Sequence, residues 1–222
     1  MTGLNMLAGW TANGDTIMIE QMPIFGGYCG GVEETAICDV ATTLASFALF
    51  GGSFHLDGPI HIRWGTTMAK ETLQVAGHAA AAIDANTDLL LANQYYPVAG
   101  PCTEMCLLET AAQAICDTAS GRELLSGSAA AKGVLIDRTT GMEARMMGMA
   151  AKATAGMKIS DVNELLSKLV PTYECNYTNA PLGKSFAECY DPVTVTPTDE
   201  YIQVYDGAVQ KLRDLGLDIK PY

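Results

Sequence analysis

Short apolar runs alternate with longer amphipathic ones over the first two thirds of this chain. Ile17-Met18-Ile19 runs into Glu20, Phe54-His55-Leu56 into Asp57, and Leu89-Leu90-Leu91-Ala92-Asn93 into Gln94. Runs this short suit buried strands better than helices, and each ends on a polar side chain followed by a turn or loop. Glu20, Asp57 and Gln94 recur about 37 residues apart, the length of one strand-loop-helix-loop unit. Between them the period becomes helical. Ile37, Val40, Ala41, Leu44, Phe47 and Ala48 predict a helix over 33–50, stopped by Gly51-Gly52. Leu73, Ala76, Ala80 and Ile83 predict the inner face of a helix from about 66 to 83, with Thr66 or Thr67 as its cap. A third helix is expected over 103–119, after Pro101, with Met105, Leu108, Ala112 and Ile115 facing inward.

Farther along, a strand is expected near 123–125, then a loop through Thr139 and Gly141 and a helix over 142–155. Ser160-Asp161-Val162-Asn163-Glu164 should open a capped helix, and Thr198-Asp199-Glu200 a last one reaching about Leu215. Strands alternating with helices imply an α/β fold on a parallel sheet. The four strand-helix units of residues 1–156 are half of an eight-stranded TIM barrel, and residues 157–222 read as a helical extension packed on the same domain. A doubly wound sheet is the competitor. The barrel is preferred because Gly26-Gly27-Tyr28-Cys29-Gly30-Gly31 lacks the spacing of a pyrophosphate turn, and because several strand ends carry polar groups as a barrel mouth requires.

Composition narrows the partners. With 222 residues, 49% of them hydrophobic and 17% charged, the chain can bury a large core. Its formal net charge of -12 disfavours nucleic acid and anionic membranes and tolerates a cationic or neutral substrate. Seven cysteines, with Cys38, Cys106 and Cys116 in apolar helical stretches, read as reduced core thiols of a cytoplasmic protein, which makes Asn176-Tyr177-Thr178 a chance sequon. No signal peptide is evident in residues 1–10, and the apolar stretch over 41–50 is too short to span a membrane.

Several side chains could carry chemistry. Glu20 stands where a strand opens into a glycine-rich loop. His55, Asp57, His61 and Arg63 form a second polar cluster, in which Arg63 could pair with Asp57; a zinc-dependent hydrolase using His55, His61 and Asp57 is an alternative reading, although the spacing matches no firm zinc signature. Cys102 and Cys106, spaced i, i+4, suit core packing better than a metal. Glu143 and Arg145 are expected in surface or interface pairs, and Met142, Met146, Met147 and Met149 in a core or subunit contact.

Longer stretches are more specific. Glu20-Gln21-Met22-Pro23-Ile24-Phe25-Gly26-Gly27-Tyr28, His55-Leu56-Asp57-Gly58-Pro59-Ile60-His61-Ile62-Arg63-Trp64-Gly65, Asn93-Gln94-Tyr95-Tyr96, Gly100-Pro101-Cys102-Thr103-Glu104-Met105-Cys106-Leu107-Leu108-Glu109 and Thr140-Gly141-Met142-Glu143-Ala144-Arg145-Met146-Met147-Gly148 closely resemble the monomethylamine methyltransferases of methanogenic archaea. The resemblance runs from about Asp15 to the C-terminus and covers the C-terminal half of a family member. It implies a TIM-barrel enzyme, homo-oligomeric at full length, that moves a methyl group from monomethylamine to the cobalt of a cognate corrinoid protein. It further implies a pyrrolysine upstream of Met1, encoded by an amber codon, whose imine ring captures the amine. On this reading the chain is the segment translated from an internal methionine after that codon and is inactive alone; the rival is a short non-enzymatic paralogue that acts as a scaffold. By residue match, Glu20 takes the role of the carboxylate that handles the proton and stabilises the cationic nitrogen, and Gln94 that of the orienting amide. Tyr96, His55 and Asp57 are candidates for the substrate cavity. The cofactor is a corrinoid carried by the partner, with none bound by this chain and no metal of its own.

Overall fold

The computed structural model describes residues 2–222. In chain order the elements are α1 (Thr2–Asn13), β1 (Met18–Glu20), β2 (Ile24–Phe25), α2 (Val32–Ala48), β3 (Phe54–Asp57), β4 (Ile60–His61), α3 (Lys70–Asn86), β5 (Leu91–Tyr95), α4 (Glu104–Ala119) and β6 (Leu124–Ser128). Then follow α5 (Gly141–Thr154), α6 (Ile159–Glu174), α7 (Phe186–Cys189), β7 (Tyr190–Asp191), β8 (Thr196–Pro197) and α8 (Asp199–Asp214). The expected parallel sheet is present, with strand order β1-β3-β5-β6 and every neighbour parallel. The loops leaving β1 and β3 pair again as the small parallel ladder β2-β4, which the sequence reading missed. Among the described residues no helix is long and apolar enough to cross a membrane.

The two faces of the main sheet are unlike. Successive strand residues point to opposite sides, and one side carries Ile17, His55, Asp57, Leu91, Asn93 and Tyr95, all buried. Asn93 and Tyr95 on this side hydrogen-bond to Asp117 of α4, so it is the helix-covered face. The other side carries Met18, Glu20, Leu90 and Leu124, all exposed, Gln94 and Ser126, half-buried, and Leu56 and Ala92, which are buried at mid-sheet. Apart from these last two it is bare. β1 and β6 each have one edge unpaired among the described residues.

The helix over 104–119 is central: α4 is buried from Met105 to Asp117 and begins at Thr103, whose hydroxyl accepts the Cys106 N–H at 3.2 Å. α5 starts at a capping box in which Thr140 and Glu143 bond reciprocally. Met142, Met146 and Met147 are buried and join α4, α6 and α8 in one hydrophobic core. Several expectations need correction. α3 begins at Lys70, because Thr66 and Thr67 are taken up by the β5 backbone and α4 instead of capping a helix. Ser160 lies inside α6, whose cap position is Lys158. Glu143 is no surface residue: its carboxylate accepts the Thr140 N–H and hydroxyl and the Tyr201 hydroxyl in the core. α1 was not foreseen at all.

The largest departure is in α2. A helix forms where the apolar spacing predicts one, yet its buried positions are Thr35, Asp39, Thr43 and Ser46, while Ile37 and Leu44 are 70% and 43% exposed. The small hydroxyls tolerate burial by bonding their own helix: Thr35 donates to Gly31 O at 2.6 Å and Ser46 to Thr43 O at 2.7 Å. Most of the apolar stripe faces outward, with Val40 and Phe47 half-buried and Val40 packed against Ala80, Ile83 and Leu91.

Candidate active site

Glu20 is the last residue of β1, in register with Leu56 of β3, and the Gln21 N–H extends the ladder to Leu56 O at 3.1 Å. Its carboxylate is exposed at the C-terminal end of the strand. Two strands away, Gln94 ends the same face of β5. It is held from several directions. Gln113 of α4, fully buried, donates to Gln94 O at 2.7 Å and accepts the Thr67 hydroxyl at 2.6 Å, and Thr67 accepts the Tyr96 N–H at 3.2 Å. Thr66 donates to Tyr96 O at 2.6 Å. The Gln94 carboxamide lies 3.1 Å from the Tyr96 hydroxyl and 3.0 Å from the Ser126 hydroxyl of β6. Gly58 leaves room for it, since a Cβ there would sit 2.9 Å from the Gln94 Cβ. The structure therefore brings Glu20, Gln94 and Tyr96 to one mouth of the bare face. Polar groups at the C-terminal ends of parallel strands, unencumbered by packing, are where α/β enzymes place reacting atoms.

His55 and Asp57 go elsewhere. Both are fully buried on the helix-covered face, away from Glu20 and Gln94. The expected pairing of Asp57 with Arg63 is replaced by one with Arg122, whose Nη2 lies 2.8 Å from Asp57 Oδ2, while Arg63 is exposed and stacks 4.4 Å over the Trp64 ring. Arg122 also brings Nε to 2.9 Å from Asp117 Oδ1 and donates to the carbonyls of Ala92 and Ala76, each at 3.1 Å. Asp39 closes this group from α2. Burial pushes its carboxyl well above the usual range, and the neighbouring Asp57 adds to the rise while Arg122 opposes it. Burial lowers His55, with Asp57 opposing the shift and Arg122 adding to it. His61 accepts the Arg63 N–H on Nδ1 at 3.1 Å, and among the described residues no three His, Cys, Asp or Glu side chains converge in a metal-binding arrangement. The cysteines, Cys102 and Cys106 among them, are free thiols.

Sequence reasoning overlooked Ser126, Gln113, Arg122 and Asp39. A signal existed for Gln113, as for Glu109 and Asp117: each interrupts a strongly apolar helical run.

Comparison with known proteins places this geometry. The family described as monomethylamine methyltransferase MtmB matches residues 1–217. Monomethylamine methyltransferase MtmB2 of Methanosarcina barkeri is 64% identical over 217 residues, 98% of this chain and 47% of the relative, and MtmB of Methanosarcina mazei is 63% identical over the same share. The crystal structure of the Methanosarcina barkeri monomethylamine methyltransferase (MtmB) superposes with a TM-score of 0.94 at 65% identity, covering 95% of this chain and 46% of that one. A second structure, described as the hydroxylamine MtmB complex, matches equally well. This chain spans about half the length of the curated relatives it matches.

Proposed function

The chain belongs to the monomethylamine methyltransferase MtmB family, and on that footing we propose that it forms the C-terminal half of a (β/α)8 barrel whose cytoplasmic enzyme moves the methyl group of monomethylamine to the cobalt of a cognate corrinoid protein. One observation carries the reading: Glu20 and Gln94 share the bare face of a sheet whose strands run in sequence order, all parallel, with helices packed on the other face. A barrel wall has this layout, with its lumen on the bare side, whereas a doubly wound sheet reverses its strand order and is covered twice. The outward stripe of α2 and the open edges of β1 and β6 are the surfaces the remaining strands and helices would cover.

The site suits a small amine. An amine leaves poorly, so its nitrogen has to be cationic when the methyl carbon is attacked. Glu20 supplies a carboxylate that holds such a nitrogen and exchanges its proton, and Gln94 and Tyr96 orient it. The partner's corrinoid supplies the methyl acceptor, and a pyrrolysine outside this chain supplies the electrophile that captures the amine. The relative described with bound hydroxylamine fits a site for a small nitrogen base.

The test unites this chain with the other half of a family member and follows methylation of a reduced corrinoid protein by its absorbance. Glu20→Gln should lower kcat by about 10²–10⁴, the range for loss of a proton-handling group. Transfer by this chain alone, or an unimpaired Glu20→Gln enzyme, would overturn the reading.

A further inference from the structure

The Gln94 carboxamide is gripped at both ends, and the hydrogen count at one end fixes which way round it sits. Ser126 Oγ stands 2.5 Å from the Asn93 carbonyl oxygen and 3.0 Å from Gln94 Oε1, while Gln94 Nε2 stands 3.1 Å from Tyr96 Oη. A serine hydroxyl has one proton to give and two lone pairs. A backbone carbonyl can only accept, so the shorter contact takes the proton. Ser126 is left with a lone pair facing an oxygen, which repels. A half turn about the last side-chain bond exchanges the nearly isosteric oxygen and NH2 ends of the carboxamide and removes the conflict. Nε2–H then donates to Ser126 Oγ, and Oε1 accepts the Tyr96 O–H. The backbone need not move, because Gln113 already holds Gln94 O at 2.7 Å.

We infer that Ser126 is a positioning residue that sets the hydrogen-bond direction of Gln94 and thereby turns Tyr96 Oη into an acceptor at the mouth of the bare face, matched to the N–H groups of a primary alkylammonium. With its proton committed to Gln94, Tyr96 has only lone pairs to offer. A carboxylate, as at Glu20 on the same face, likewise only accepts. Two acceptors suit a cationic donor, and the second Gln94 N–H is the one donor left among the three side chains. The substrate consequence rests on the methylamine reading; the direction of the hydrogen bonds does not.

The experiment reads that direction without turnover. In 15N-labelled chain, the side-chain NH2 signals of Gln94 are assigned by their disappearance in Gln94→Glu. Ser126→Ala should move one NH2 proton upfield, Ser126→Thr should return it, and Tyr96→Phe should leave both in place. A shift under Tyr96→Phe, or none under Ser126→Ala, overturns the inference. Neutron diffraction from the unsubstituted chain asks the same question should Ser126→Ala not fold: deuterons on the amide end facing Ser126 are expected, and deuterons on the end facing Tyr96 overturn it. An inactive assembled enzyme would count against the methylamine reading and leave this one standing.

Discussion

Arg122 is the place where one substitution should unsettle the fold most. Its guanidinium is fully buried and meets Asp57 at 2.8 Å, Asp117 at 2.9 Å and two backbone carbonyls at 3.1 Å, tying β3, α3, α4 and β5 to the start of β6. Arg122→Met keeps an apolar stem of similar reach and leaves two carboxylates without a cation. Removing one partner of a buried pair costs about 3–5 kcal/mol. An independent route gives a similar figure. The stranded site escapes by protonating one aspartate, and holding neutral a group of pKa 3.9 at pH 7 costs about 4 kcal/mol, at roughly 1.4 kcal/mol per unit. The sign follows from linkage: in the variant that carboxyl is raised in the folded state, so the penalty grows as pH rises and shrinks as it falls. At pH 5 the same sum leaves about 1.5 kcal/mol. Urea titrations of parent and variant at pH 5 and pH 7, followed by far-UV circular dichroism, measure both numbers. A loss under about 1 kcal/mol at pH 7, or equal losses at the two pH values, would refute the picture of a guanidinium neutralising buried carboxylates.

Two further substitutions probe the same core. Glu109 is fully buried and accepts the Val98 and Ala99 N–H groups at 2.9 and 3.0 Å; burial nevertheless pushes its carboxyl up to about 8. A raised carboxyl contributes stability that is complete below pH 4.5 and is lost as pH climbs through 8, so Glu109→Gln should flatten the decline of melting temperature between those limits; an unchanged slope would show that Glu109 is not its source. Gly100 lets the 181–184 segment cross directly over it, and a Cβ would stand 1.8 Å from Leu182 O, so Gly100→Ala should lift that strap, destabilise the fold by about 1–3 kcal/mol and open a new proteolytic site near Lys184, which limited trypsin digestion detects.

Much of this architecture was legible before any coordinates. Leu73, Ala76, Ala80 and Ile83 are buried along one stripe of α3, and α4 runs over Glu104–Ala119, within one residue of the span expected after Pro101. The equal spacing of Glu20, Asp57 and Gln94 found consecutive strands in sheet order. The same spacing misled about Asp57, because alternation along a strand decides the face and a count between units does not. Glu20 and Gln94 point to the bare side and Asp57 to the helices. Nor could local pattern show that Arg122, 65 residues from Asp57, would be its cation, since the nearer Arg63 satisfies the same charge rule. Such pairings are fixed by the closing of the sheet.

The outward stripe of α2 ties these observations together. Periodicity read the helix correctly from Ile37, Val40, Ala41, Leu44, Phe47 and Ala48, yet the buried side is Thr35, Asp39, Thr43 and Ser46, with Val40 and Phe47 half-buried and the other four exposed. A helix with apolar residues on one flank and small hydroxyls against its own sheet is contradictory for an isolated domain, where apolar surface drives burial. It is consistent for an inner member of a ring of helices, which needs one flank for the sheet and another for the next helix. α2 packs against α3, and β1, the strand before it, has one edge unpaired among the described residues. The exposed apolar flank fits the proposed barrel, in which a further helix would lie against it. The open edge of β1 and the exposed Ile37 and Leu44 are the surfaces that a preceding unit of the proposed barrel would cover, and the chain spans about half the length of the relatives it matches.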